Sequence, residues 1–172
     1  MRILFIGGRI AGIIGFLTAL AKNHIIVAVA TKDKSLQKVA RGFGLTSYKS
    51  IHEIDLSHLG IDLILSVHGR EIIKDRELGF TRHGGINVHP CLYKYKGADP
   101  IKRFLADGSI RASVGAHYIT AKVDCGPVIT EQFIIIRNCK TEIEVYNQLY
   151  PLYATVVSDA LNKIESSGRD YH

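Results

Sequence analysis

Asn87 and His89 stand two apart in Ile86-Asn87-Val88-His89-Pro90, an apolar run stopped by proline. Side chains two apart on a strand share a face, so the amide and the imidazole project together while Ile86 and Val88 turn the other way. An amide can donate a hydrogen bond to a carbonyl oxygen that gains negative charge, and imidazole is the side chain whose proton affinity lies near neutrality. That pairing suits acyl transfer with general acid–base help. An imidazole that must hold one orientation and carry transient positive charge usually needs a carboxylate. Asp124 offers one in the turn-rich stretch Lys122-Val123-Asp124-Cys125-Gly126-Pro127. On residue type alone, Asn, His and Asp near turns serve equally as caps and backbone partners, and both readings stand at this point.

Other segments invite chemistry with less support. Gly7-Gly8-Arg9-Ile10-Ala11-Gly12 follows an apolar run, but Arg9 stands where a dinucleotide G-x-G-x-x-G needs glycine, and Ile13 stands where a phosphate loop needs lysine. Tight packing of the first turn and a ligand contact by Gly8 and Arg9 are equal readings. Cys91, Cys125 and Cys139 cannot all pair and form no C-x-x-C, which fits a reducing cytoplasm. A cysteine hydrolase with Cys91 or Cys125 as nucleophile and His89 or His117 as base is a second enzyme class, with a small buried thiol as the plainer role for Cys91. His89, Cys91, His117 and Cys125 lack standard ligand spacing, so no metal is expected. Leu92-Tyr93-Lys94-Tyr95-Lys96 and Lys102-Arg103 interleave aromatics with cations, as single-stranded nucleic-acid binders do. The patch is short and isolated, so nucleic acid is not expected, and attraction of an anionic small molecule, with Lys96 as a contact, is preferred.

The elements that must position these groups follow from periodicity. Ile3 to Ile6, Ile25 to Ala30, Ile61 to Val67 and Gly85 to His89 read as strands. Ile10 to Ala21, Ser35 to Arg41 and Glu71 to Leu78 read as the intervening helices. Pro100 to Ala106 is a further helix, Ala112 to Ile119 and Val128 to Ile136 are two more strands, and a long last helix is capped by Thr141 with Glu144 and kinked at Pro151. Alternating strands and helices imply an α/β fold, a Rossmann-like mostly parallel sheet with helices on both faces, and residues 1–172 form one domain. In such sheets ligands sit beyond the carboxyl ends of the strands, where Asn87 and His89 lie.

Composition agrees. The 172 residues are 47% hydrophobic and 22% charged, enough for one core and unlike a disordered chain or a disulfide miniprotein, and the formal charge of +6 favours anionic ligands. Arg2, the apolar stretch and Ala19-Leu20-Ala21 imitate a secretory leader. A membrane span would bury Arg9 at a cost of roughly 2.5 to 3.5 kcal/mol, so a soluble, unprocessed cytoplasmic protein without membrane contact is expected.

Ile86-Asn87-Val88-His89-Pro90-Cys91-Leu92 followed by Tyr95-Lys96-Gly97-Ala98-Asp99-Pro100-Ile101 resembles the I-N-x-H-P-S-L-L-P-x-Y-R-G-x-x-P-I signature of folate-dependent formyltransferases. His117 to Ile129 is similar to the strand-loop-strand of that family, with its aspartate before G-P-V-I. The resemblance implies transfer of a formyl group from 10-formyltetrahydrofolate to a primary amine, with Asn87, His89 and Asp124 on the catalytic positions. Asn87, helped by His89, would stabilise the tetrahedral oxyanion, while His89 or a water held by Asp124 moves the proton. It further implies that the folate pteridine lies against the loops Ser66 to Ile72 and Ala121 to Gly126, with His68, Gly69, Arg70, Ala121, Val123 and Gly126 as contacts. His117 matches a histidine of the glycinamide-ribonucleotide branch.

Departures steer the acceptor. The first turn lacks the serine and asparagine of the glycinamide-ribonucleotide phosphate loop, and past the last helix there is only Ser166 to His172 where methionyl-tRNA formyltransferases carry a further domain. Cys91 replaces the usual serine, and Tyr93-Lys94 shortens the loop. A small-molecule amine is therefore expected as acceptor, an amino sugar or nucleotide-linked amino sugar. Glycinamide ribonucleotide and methionyl-tRNA are the alternatives, and a noncatalytic folate or nucleotide-sugar module is the other class. A homodimer is compatible with the sequence. Asn87→Ala, His89→Ala and Asp124→Ala should each lower formyl transfer by about 10² to 10³ with the fold intact; near-normal turnover by Asp124→Ala would remove the trio.

Overall fold

The computed structural model describes residues 1–167. Its elements are β1 (Arg2–Gly7), α1 (Arg9–Ala21), β2 (Ile25–Ala30), α2 (Lys34–Gly42), β3 (Ser47–Tyr48), β4 (Leu63–Val67), α3 (Asp75–Leu78), β5 (Gly85–Pro90), α4 (Pro100–Ala106), β6 (Arg111–Tyr118), β7 (Val128–Ile135) and α5 (Glu142–Ser167). The strands form one sheet in the order β3-β2-β1-β4-β5-β6-β7. β3 to β5 pair in parallel through β1, and β6 and β7 are antiparallel. The strand order reverses at β1, between β2 and β4, so a crevice opens past the carboxyl ends of β1 and β4.

Alternation along the strands divides the core. Ile3 and Phe5 of β1, Leu63, Leu65 and Val67 of β4, and Ile86 and Val88 of β5 face a cluster that includes buried residues of α1, α2, α4 and α5. Leu4, Ile6 and Ile64 face the other cluster with Ile51, Leu56, Ile73 and Leu78. Helices cover both faces, but unequally: four on one side, and α3 with the short 3-10 turn Ile51–Glu53 on the other. Gly7 at the end of β1 and Gly15 within α1 serve close packing. A Cβ on Gly7 would stand 2.8 Å from the Val67 carbonyl oxygen, and one on Gly15 2.7 Å from Val67 Cγ2.

Several boundaries differ from expectation. The third expected strand begins at Leu63 because Ile61 forms only an isolated bridge to Thr81 and the Asp62 carboxylate accepts from the Arg2 amide at 2.6 Å. The helix expected from Glu71 begins only at Asp75: Glu71 accepts from the Ile51 amide across the turn, and Glu77 accepts from Lys74 N–H at the helix start. β3, two residues long, carries too little pattern to be seen in sequence. α2 starts one residue before the expected Ser35, with the Asp33 carboxylate accepting from the amides of Ser35 and Leu36. Thr141 and Glu144 form the reciprocal cap of α5, and the helix continues through Pro151 as one element of 26 residues. Part of the expected tail, residues 168–172, lies outside the described residues. Among the described residues no helix is long and apolar enough to cross a membrane.

Candidate active site

The β5 register places Asn87 beside Ser66 of β4 and His117 of β6, with His89 beside Gly115. The loop from β6 to β7 folds back over this end of the sheet, closed by Tyr118 N–H donating to the Pro127 carbonyl at 3.0 Å. Gly126 makes that fold possible, since a Cβ there would overlap the Tyr118 carbonyl oxygen. Asp124 sits on the loop in the left-handed region at φ +51° and is 8% exposed.

Its carboxylate gathers groups from three other segments. Oδ2 accepts from Gly97 N–H at 2.8 Å and lies 3.2 Å from His89 Nε2. Oδ1 accepts from Asn87 Nδ2 at 3.1 Å and lies 3.2 Å from His117 Nε2. Burial opposes ionisation of Asp124, but the His117 contact, the neighbouring His89 and the Gly97 amide together hold its carboxyl well below the usual carboxylate range. His89 Nε2 also lies 3.1 Å from the Gly97 carbonyl oxygen. Both of its neighbours are acceptors, so Nε2 carries the proton, and Nδ1 is buried without a hydrogen-bond partner among the described residues. Burial pushes His89 below its ordinary value, with the Asp124 charge pulling the other way. His117 Nδ1–H donates to its neighbour Tyr118 O at 2.8 Å.

Asn87, His89, His117 and Asp124 line a cavity of about 650 Å³ together with Arg9, His68, Gly69, Arg70, Ala121 and Val123. Gly8, Lys96 and Gly126 are not in its wall. Gly8 is extended, Gly126 shapes the aspartate loop, and Lys96 is exposed on the turn with its carbonyl bound to Arg103. Of the aromatics around Lys96, Tyr95 is buried, 3% exposed, with its hydroxyl 2.9 Å from Asp107, while Tyr93 is exposed and its hydroxyl donates to Arg111 O. His68 is held by burial and by the cations Arg9 and Arg70 down to about 4, and shares a 3.1 Å hydrogen bond with the Tyr146 hydroxyl. Sequence reasoning missed Tyr146 and Glu142, which α5 brings to the cavity wall. Tyr146 adjoins the apolar stripe of α5, so nothing in its spacing separates it from core.

The cysteine-hydrolase reading through Cys91 is overturned. Cys91 is fully buried, burial pushes its thiol up to about 11, and both Nε2 atoms of the candidate bases are engaged with Asp124. Among the described residues, no group of three or more His, Cys, Asp or Glu side chains is placed to hold a metal ion.

His68 and His89 both bind protons less readily folded than unfolded. Their contribution to stability is therefore complete above the ordinary 6.5 and is lost as pH falls below it, for His68 toward about 4. A ring-proton NMR titration should find His89 titrating below 6.5, and lower still in Asp124→Asn, where the charge that favours the imidazolium is gone. Titration above 6.5, or an upward shift in the variant, would contradict the geometry.

Residues 17–161 match the family described as Formyl transferase. The methionyl-tRNA formyltransferase of Stenotrophomonas maltophilia (strain K279a) is 29% identical over 185 residues, an alignment covering 96% of this chain and 60% of that protein. The chain thus spans less than two thirds of that relative's length. Its fold is similar to glycinamide ribonucleotide transformylase 1 from Symbiobacterium toebii, with TM-score 0.80 at 19% identity over 98% of this chain and 89% of that one. It is also similar to a formyltetrahydrofolate deformylase from Pseudomonas syringae pv. tomato str. DC3000, with TM-score 0.81 at 16% identity over 96% of this chain and 61% of that one. With most of its length matched, the chain belongs to the formyl transferase family.

Proposed function

We propose that this protein transfers a formyl group from 10-formyltetrahydrofolate to the primary amine of a small acceptor, an amino sugar or nucleotide-linked amino sugar, with Asn87, His89 and Asp124 as its catalytic residues. The observation that carries the reading is the meeting of Asn87 Nδ2 and His89 Nε2 on one carboxylate at the wall of a cavity of about 650 Å³. That volume is in the range of small-molecule sites, about 300 to 1,000 Å³. The lining supports that donor: Ile72, Ile73, Ile119 and Val123 offer apolar surface against which a flat ring would lie, beside Ser66, His68, Gly69, Thr120 and Ala121. When bound, it supplies the activated formyl carbon.

The chain's own groups do the rest. Asn87 N–H and His89 Nε2–H rest on Asp124 and are the donors able to turn toward a carbonyl oxygen as its charge grows. Asp124, ionised and fixed by Gly97, keeps the His89 proton on Nε2 and stabilises the ring while it is charged. A proton must leave the attacking nitrogen and reach the departing one. His89, held neutral by burial, has Nδ1 as its free basic nitrogen, and with the ring turned toward the cavity that atom would take the proton and return it to the departing nitrogen. A water held by Asp124 is the weaker route, because protein groups already face both of its oxygens.

Methionyl-tRNA is a second acceptor reading, favoured by the likeness to the methionyl-tRNA formyltransferase of Stenotrophomonas maltophilia. Tetrahydrofolate release from 10-formyltetrahydrofolate, followed with amino sugars, nucleotide-linked amino sugars, glycinamide ribonucleotide, methionyl-tRNA or no acceptor, separates the readings. Release that requires an amino-sugar acceptor is expected. Release only with methionyl-tRNA or glycinamide ribonucleotide would move the acceptor there, release without any acceptor would make the protein a hydrolase, and binding without release would leave a noncatalytic module.

A further inference from the structure

Gly97 touches both ionisable members of the proposed trio. Its N–H donates to Asp124 Oδ2 at 2.8 Å and its carbonyl oxygen faces His89 Nε2 at 3.1 Å, so the placement of one residue sets the carboxylate and the ring together. The turn that carries it is tied at its start, where Cys91 N–H donates to the Ser113 carbonyl and Tyr93 N–H to the Glu131 carboxylate, but it holds several residues in an unfavourable backbone conformation. Cys91 and Asp99 lie in the left-handed region at φ +52° and +49°, and Gly97 itself at +81°. For non-glycine residues that conformation costs about 1 to 2 kcal/mol each. Tyr93, Lys94, Lys96, Ala98 and Asp99 are exposed, while Cys91, Leu92 and Tyr95 are buried.

Arg103 constrains the end of the turn. It projects from α4, which Ile101 and Phe104 fix in the core, and its Nη2 donates to the Tyr95 carbonyl at 3.0 Å and the Lys96 carbonyl at 2.6 Å. The guanidinium carbon lies 5.9 Å from the centre of the Tyr95 ring, whose hydroxyl is held by Asp107 and Ser109 at 2.9 and 2.7 Å. Charge-assisted hydrogen bonds are roughly twice as strong as neutral ones, and here they fix the two peptide carbonyls immediately before Gly97. Arg103 is not in the cavity wall.

We propose that Arg103 is a positioning residue for formyl transfer, clamping the carbonyls of Tyr95 and Lys96 so that Gly97 holds His89 and Asp124 in their reacting arrangement. The proposal rests on the function proposed above and reaches beyond it, to a residue outside the cavity wall. Loss of the clamp acts on geometry at the reacting atoms, where a 1 Å displacement costs on the order of 10²-fold in rate.

The test compares the full-length protein with Arg103→Ala, Arg103→Gln and Arg103→Lys by thermal melting, His89 ring titration and steady-state kinetics. In Arg103→Ala, kcat should fall by on the order of 10²-fold with KM for both substrates unchanged. The His89 titration should move to lower pH as the Gly97 carbonyl withdraws. Lysine, a point charge without the planar fork, should recover part of both effects. If the alanine form does not fold, the glutamine form is read in the same way. An unchanged ring titration in a folded alanine or glutamine variant, with or without a fall in kcat, overturns the proposal. Absence of formyl transfer in the parent protein would instead remove the proposed reaction and leave the ring titration to decide the role of Arg103.

Discussion

The Asp124 carboxylate is the constraint around which the rest of the site is arranged. A buried ionised carboxylate is tolerable only when its oxygens are met by donors, and here they come from β5 and the turn before α4, with the His117 ring of β6 alongside. The same requirement that lets the charge exist therefore draws Asn87, Gly97, His89 and His117 together. It also explains the protonation pattern: an anionic partner fixes the His89 proton on Nε2, while burial keeps the ring neutral.

Backbone strain gathers around that carboxylate. Arg9, His68, Cys91, Asp99 and Asp124 all adopt left-handed φ between +49° and +57°, and all but Cys91 line the cavity. Each such residue costs about 1 to 3 kcal/mol and persists only where its surroundings over-determine it. Much of that determination can be named. Arg9 N–H is held by the Asp33 carboxylate at 2.9 Å, and Cys91 N–H donates to the Ser113 carbonyl at 2.8 Å while its side chain is fully buried. His68 is tied to Tyr146, and Asp124 to its ring of donors. The cleft is thus walled by turns pinned from the sheet and from α5.

Much of this was legible because it is local. Short apolar runs placed β1 and β2, the Thr141 and Glu144 spacing placed the start of α5, and the offset of two between Asn87 and His89 put both on one face of β5. Asp124 could be suspected from its turn-rich setting, and the family resemblance then tied it to the pair. What escaped depends on contacts between distant segments. Tyr146 adjoins a core stripe and reaches the cavity only because α5 packs against β5 and β6. The true start of α3 is set by where the Glu71 and Glu77 carboxylates find amides, and the double contact of Gly97 cannot be read from a glycine in a loop. Lys96 was singled out for its charge, yet its backbone rather than its side chain takes part, through Arg103.

The account stands on His89 and Asp124 working as one unit, and a double-mutant cycle addresses that directly. Formyl-transfer rates would be measured for the parent, Asp124→Asn, His89→Gln and the combined variant. If the carboxylate acts through the ring, the combined variant loses no more than the worse single one. Losses that multiply would mean the two residues contribute separately, contrary to the arrangement described.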